Sequence, residues 1–181
     1  VQAFHITSES MDPTLLTGDV LWVARPTFGA KIPFTRSLLP AFREPRHADI
    51  VIFESVETAG LDVVKRVIGL PGDTLAMEAG TVLRNGVALA EPYVRRARPD
   101  DPDPNGSRAQ MRAWQAPRLV GNRAGPYQPD RNNWGPLVVP PESLFVMGDN
   151  RDSSYDGRFW GFLPRRNLRG DLPGRRRDVH P

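Results

Sequence analysis

The chain has no cysteine, which at once removes thiolate nucleophiles, disulfide staples and every Cys-type zinc site. It has no long hydrophobic run either: nowhere do apolar residues continue for the roughly 18 positions that cross a bilayer as a helix. A dominant charge is also lacking. The formal net charge is only +3 over 181 residues, and arginines alternate with Asp and Glu, whereas nucleic-acid binders gather their basic residues on one element. The one dense basic cluster, Arg175-Arg176-Arg177, falls in a Pro/Gly-rich end and reads as a solvated tail. No nucleic-acid partner is expected. Lysine is nearly absent: Lys31 and Lys65 are the only two among 24 Lys and Arg residues.

What the chain has in quantity is punctuation. Its 19 prolines and 16 glycines cut it into short pieces and argue against long helices. Alternating or β-branched runs at 20–24, 49–53, 63–68 and 144–147 predict strands. Asn85-Gly86, set between the runs 81–84 and 87–89, predicts a hairpin of the primed-turn type. No segment keeps a 3.6-residue apolar period beyond two turns, so the fold class is mainly β. From 91 to 136 the composition shifts to Pro, Asp, Asn-Gly and scattered Arg, as in a loop-rich insertion. The expected division is a core of 1–80 and 137–165, an inserted second lobe of 81–136 and a polar tail of 166–181.

Three segments carry chemistry. In Ser8-Glu9-Ser10-Met11-Asp12-Pro13-Thr14-Leu15, two hydroxyls two residues apart on extended chain point to one side. One can attack while the other donates to a developing oxyanion, and Pro13 fixes the turn that presents Ser10. The same segment also reads as an ordinary Ser/Thr turn or helix cap. A serine needs a base, and His5, His47 and His180 all lie in settings typical of solvated histidines. Lys65 is different, because it stands inside the apolar run 63–68. Burial there would disfavour its ammonium and leave a neutral amine able to act as a base, which no arginine can do. An edge-strand lysine that blunts aggregation is the bland alternative. The third segment, 147–161, packs Asp149, Arg151, Asp152, Ser154, Asp156 and Arg158 into one loop after a strand. Its acids have calcium-ligand character, but the order lacks the EF-hand pattern and its terminal Glu, so internal ion pairs are the better reading and no metal is expected.

Together these segments resemble the bacterial type I signal peptidase family. Ser8-x-Ser10-Met11-x-Pro13-Thr14-Leu15-x-x-Gly18-Asp19 is similar to its nucleophile box, and Asp49-Ile50-Val51-Ile52-Phe53 to the strand box that follows. Lys65-Arg66-Val67-Ile68-Gly69-Leu70-Pro71-Gly72-Asp73 resembles its lysine box, and the 148–158 run its last box, all in the family's order. The resemblance implies Ser10 as nucleophile and Lys65 as general base. It implies Ser8 as a side-chain donor to the oxyanion, Ser154 as a hydrogen-bond partner that orients Lys65, and Gly148 as the residue leaving room for that amine. Asp149 with Arg66, and Asp156 with Arg158, would be structural ion pairs. The implied fold is an antiparallel β-sheet catalytic core carrying an inserted β-rich, loop-rich lobe.

The resemblance further implies signal peptides of secretory preproteins as substrates, with small residues before the cut and no cofactor. Phe4, Ile6, Met11, Leu15, Val63 and Val64 are candidates for the wall along which an extended peptide lies, or simply core residues. Location at the bacterial cytoplasmic membrane, facing outward, would follow, with a membrane anchor ahead of Val1 and with Trp22 and Phe28 as candidate contacts to the lipid surface. Four positions depart from the family pattern: Thr7 for proline, Ala48 for glycine, Ser153 for asparagine and Gly157 for serine. None is a catalytic group. A related Ser/Lys processing peptidase, or an inactive relative that binds signal peptides, would carry much of the same pattern.

Overall fold

The structure, a computed structural model, describes residues 2–23, 44–98, 101–121 and 125–172. Ala24, Phe28, Lys31, His180 and the arginines at 175–177 lie outside the described residues. Among the described residues, eleven strands run in chain order as β1 (Gln2–His5), β2 (Val20–Val23), β3 (Ile50–Glu54), β4 (Asp62–Gly69), β5 (Thr74–Glu78), β6 (Thr81–Arg84), β7 (Val87–Ala88), β8 (Trp134–Val138), β9 (Ser143–Met147), β10 (Leu163–Pro164) and β11 (Leu168–Leu172). The same residues hold two helices, α1 (Ser107–Gln115) and α2 (Gly157–Trp160), and two 3-10 turns. The mainly antiparallel β class expected from the sequence is what the structure has.

A five-stranded sheet in the order β10-β9-β4-β3-β11 forms the centre. The run 49–53 becomes β3 because it is buried on both faces. Val51 and Phe53 enter one apolar cluster with Val67, Leu144, Val146, Leu163 and Leu168. Ile50 and Ile52 point the other way, into a cluster with Ile6, Met11, Leu15 and Leu21. The two-stranded β1-β2 unit and the turn it encloses therefore cap one face of the sheet.

The second sheet has four strands in the order β7-β6-β5-β8. Asn85 and Gly86 both take positive φ, 53° and 80°, as the expected primed hairpin between β6 and β7 requires. A third apolar cluster joins the two sheets. It takes Leu75, Met77, Val82 and Leu137 from the second sheet, Ile68, Phe145 and Met147 from the first, Met111 from α1 and Phe159 from α2.

The second sheet begins at β5, and α1 lies within the composition-shifted stretch 91–136. The expected tail contains β11, which pairs with β3 from Leu168↔Phe53 to Leu172↔Ile50. Its sequence, Leu-Arg-Gly-Asp-Leu, hides this because it supplies backbone hydrogen bonds to an edge while showing little apolar character.

Candidate active site

Residues 6–19 form a closed turn between β1 and β2. Ile6 N–H donates to the Asp19 carbonyl at 2.9 Å, and Gly18 N–H to the Ile6 carbonyl at 2.8 Å. Within it, Met11 and Leu15 are buried at 2% and 4% exposure and linked by a 3.0 Å hydrogen bond, so the turn is plugged into the core immediately after Ser10. That plug gives Ser10 a fixed position, itself buried, instead of the freedom of a surface loop.

Lys65 lies in the middle of β4, opposite Val51. Its Nζ is 2.8 Å from Ser10 Oγ and 3.1 Å from the Val64 carbonyl. Ser8 Oγ lies 3.2 Å from Ser10 Oγ. Burial is the main reason that the amine's pKa falls from 10.5 to about 8; Arg158 lowers it further, while Asp156 and Asp149 pull it back up. Among the described residues no histidine hydrogen-bonds Ser10. His5 is exposed, and half-buried His47 has an unpartnered Nε2 and a pKa lowered mainly by desolvation, then by Arg84.

Alternation along β4 sends Arg66 to the side opposite its neighbour Lys65. Its guanidinium grips Asp149 in a fork, Nε to Oδ1 at 2.7 Å and Nη2 to Oδ2 at 2.6 Å, and also donates to the Ala48 carbonyl at 2.8 Å. The second expected pair is deeper. Arg158 donates to both Asp156 oxygens at 2.9 and 3.0 Å with both side chains at 0% exposure, and its Nη2 also reaches the Arg151 carbonyl at 2.7 Å. Asp156 accepts from Gly148 N–H at 3.0 Å and caps α2 through Arg158 N–H. Burial would raise the Asp156 pKa, but Arg158, Gly148 N–H and Ser154 together leave it below the usual value. The acids of this loop are thus committed to arginines, backbone donors and a hydroxyl, and among the described residues no group of three or more His, Cys, Asp or Glu is placed to hold a metal.

A lysine desolvated beside a serine, with a hydroxyl two residues upstream and a loop knitted by buried Arg–Asp pairs, is the setting in which comparison with known proteins becomes informative. The family model described as signal peptidase, peptidase S26, matches residues 1–174. The chain belongs to this family. The signal peptidase I of Leptolyngbya laminosa is 35% identical over 93% of this chain and 65% of its own length. That of Pseudomonas aeruginosa PAO1 is 33% identical over 94% and 62%, and that of Buchnera aphidicola subsp. Baizongia pistaciae is 28% identical over 94% and 68%. The chain therefore spans about two thirds of the length of these relatives. A solved signal peptidase I from Enterococcus faecalis V583 aligns with a TM-score of 0.47 at 28% identity, covering 72% of this chain and 97% of that one.

Against the signal peptidase pattern, one expected contact is missing. Ser154 makes no hydrogen bond to Lys65; its buried Oγ has no partner of normal geometry, though it is near enough to Asp156 to help hold that carboxylate low. Lys65 instead turns to Ser10 and the Val64 carbonyl. Gly148 does have a steric role. A Cβ there would lie 2.3 Å from Ser154 Oγ and 2.4 Å from the Ser10 carbonyl oxygen. Gly157 is explained in the same way, since a Cβ would meet the Val146 carbonyl at 2.8 Å and the Phe145 ring at 3.1 Å, which leaves no room for a serine.

Of the six expected wall residues, Ile6, Met11 and Leu15 are buried in the cluster beneath the 6–19 turn, with Phe4 and Val64 partly exposed against it. Val63 packs on the opposite cluster. Sequence reasoning missed the residues that brace the loop from the insertion. Glu91 takes a double hydrogen bond from Arg151, at 3.0 and 2.5 Å, and the Tyr93 ring lies 3.9 Å under the Arg66 guanidinium. Thr14 donates to Asp149 at 2.5 Å. Arg151 and Thr14 stood inside family-like motifs, but nothing in the sequence pointed to Glu91 or Tyr93.

Proposed function

We propose that this chain is the catalytic part of a membrane-associated serine endopeptidase that removes N-terminal signal peptides from secreted preproteins, working at the outer face of the bacterial cytoplasmic membrane. The observation that carries the reading is the 2.8 Å approach of Lys65 Nζ to Ser10 Oγ in a site that lowers the lysine pKa to about 8. With such a pKa about a tenth of the amine is neutral at pH 7, enough for it to serve as base.

Neutral Lys65 removes the Ser10 proton as Oγ attacks the scissile carbonyl. Negative charge then develops on the carbonyl oxygen, where the Ser10 backbone N–H and the Ser8 hydroxyl are the available donors. The protonated lysine passes its proton to the leaving amine, which frees it to activate the water that hydrolyses the acyl-enzyme. The two carboxylates that pull the lysine pKa up also stabilise its protonated form during the reaction. Leu16 within the 6–19 turn and Val20 and Trp22 on β2, exposed at 44%, 45% and 70%, offer apolar side chains suited to lipid. Among the described residues no helix is long and apolar enough to cross a membrane.

The test is cleavage of a preprotein in phospholipid vesicles by the unmodified chain, Ser10→Ala and Lys65→Ala. Cleavage after a small residue should be lost in both variants, by at least about a thousandfold. For the active chain kcat/KM should climb about tenfold per pH unit below pH 8 and level off above it, because the neutral amine is the working form. Turnover by Lys65→Ala at the unmodified rate, or a rate that falls as pH rises from 6 to 8, would sink the dyad.

A further inference from the structure

The nucleophile and the loop after β9 are joined by a third piece of chain, residues 91–98, which belongs to neither. Arg95 is its centre. Arg95 N–H donates to the Asp149 carbonyl at 2.8 Å, and Arg151 N–H to the Arg95 carbonyl at 3.0 Å, so Arg95 pairs as a parallel bridge with Asn150. Asn150 in turn faces the nucleophile: its N–H donates to the Ser10 carbonyl at 3.1 Å and its side-chain amide to the Glu9 carbonyl at 3.2 Å. The Arg95 guanidinium then crosses to the Asp12 carboxylate, two residues beyond Ser10. The result is a closed ring running Ser10, Asn150, Arg95, Asp12 and back to Ser10.

The same strap is anchored both to loops of the second sheet and to the loop after β9. Arg96 donates to the Gly80 carbonyl and, at 2.9 Å, to Asn132 Oδ1, and Arg98 N–H donates to Asp152 Oδ2 at 2.8 Å. At its start, Glu91 holds Arg151. Of the strap's own contacts, among the described residues, the Arg95–Asp12 pair is the one that reaches the nucleophile segment. It is also poorly placed to stabilise the fold, since the Arg95 side chain is 50% exposed and such pairs are weakened by water and salt. A contact that contributes little to folding but closes a ring around the nucleophile backbone is suited to setting position.

We propose that Arg95, acting through Asp12, is a positioning residue: the strap from the inserted lobe fixes the Ser10 backbone against Asn150 and so sets the approach of Ser10 Oγ to Lys65. This rests on the reading of the site as a Ser/Lys peptidase. The angular and distance tolerance of such a dyad is narrow, and small displacements cost large factors in rate.

The test compares Arg95→Ala, Asp12→Ala, the double variant and the exchanged pair Arg95→Asp with Asp12→Arg. The control is Arg108→Ala, which removes an exposed ion pair to Asp103 elsewhere in the lobe. Each single variant should lose about tenfold in kcat, with KM within about twofold and the melting temperature close to that of the control. The double variant should be no slower than either single one, and the exchanged pair should regain part of the loss. Unchanged kcat in Arg95→Ala, or losses that multiply in the double variant, overturns the proposal. Amide hydrogen exchange gives a reading that needs no substrate. The Asn150 N–H, which donates to Ser10, should exchange faster in Arg95→Ala than in Arg108→Ala, and equal rates overturn the proposal. If the unmodified chain and Ser10→Ala prove equally inactive while exchange at Asn150 quickens, the ring stands and it is the peptidase reading that has failed.

Discussion

Around β4 and the loop after β9, six ionisable side chains are buried: Lys65, Arg66, Asp149, Arg151, Asp156 and Arg158. The buried strand positions of the four-stranded sheet are held instead by Leu75, Met77, Val82, Trp134 and Leu137. Each removes apolar area from water, so its contribution scales with area and a lost methyl group costs a graded amount. Buried charges behave otherwise. Each is tolerable only while its partner stays, and loss of one member strands the other in a medium that cannot solvate it. The region around Lys65 and the loop after β9 is therefore specified by exact pairing, and the second sheet by shape and volume.

The contrast breaks most visibly if one member of the deepest pair is removed. Asp156→Ala leaves the fully buried Arg158 without its carboxylate, and also strips the Gly148 N–H and the start of α2 of an acceptor. The expected loss is about 4 kcal/mol of unfolding free energy, measured by urea denaturation. A loss below about 1 kcal/mol, the range of an exposed ion pair, would show that the loop tolerates charge as the surface does.

The second prediction turns the comparison round, because Lys65 is a buried charge whose setting disfavours it. Replacing it with an apolar residue of similar length should stabilise the fold while abolishing the chemistry. Lys65→Met is expected to gain on the order of 2–3 kcal/mol near neutral pH, in line with a pKa lowered from 10.5 to about 8. The sign follows from the protonation states. Below pH 8 the lysine is charged both folded and unfolded, and its full desolvation cost falls on the folded state. Between about 8 and 10.5 the folded chain has lost the proton that the unfolded chain still binds, so the unmodified protein gains stability as pH rises. The advantage of Lys65→Met should accordingly shrink across that window, and denaturant midpoints at pH 7 and pH 10 measure it. An advantage that does not change with pH would mean that Lys65 is not desolvated.

How much of this was legible in the sequence follows the same division. The residues that the structure brings together around Ser10 and Lys65 stood out in the sequence because they are unusual for their surroundings: a lone lysine in an apolar run, two serines before Met and Pro, acids and arginines crowded into one loop. The strands from 50 to 69 and from 143 to 147 were readable because their burial writes itself as continuous β-branched and apolar character. What failed to show was structure made by the backbone or by distant partners. β8 contains Gly135-Pro136, which reads as a turn; in the fold Gly135 has φ 83° at an irregularity in the β5–β8 register, and a Cβ there would lie 2.6 Å from the Leu75 carbonyl. α1 turns Met111 and Trp114 to the core beside buried Ser107 and Gln115, but over nine residues that is too short to show as a sustained 3.6-residue apolar period. Glu91 and Arg151 are 60 positions apart, and no local pattern joins them.

The smallest expected effect concerns the backbone on which the Arg66 clamp rests. In the second sheet, positive φ falls on Gly80, Gly86 and Gly135 as well as on Ala79 and Asn85, and glycine alone enters that region freely. Beside β3 the corresponding demand falls on Ala48, at φ 68°, whose carbonyl accepts from Arg66 and whose N–H donates to the Val67 carbonyl at 2.9 Å. Those two hydrogen bonds hold the residue in a conformation where its Cβ crowds the following carbonyl, at a cost of roughly 1–2 kcal/mol. Glycine removes that crowding but gives the unfolded chain more freedom, so Ala48→Gly should stabilise the protein by a net amount of about 0.5–1 kcal/mol. Arg66 keeps its acceptor in this variant, so kcat should stay within about twofold of the unmodified value. Destabilisation by Ala48→Gly would mean that the alanine methyl contributes packing that outweighs the strain, and the backbone at this corner would then be relaxed as it stands.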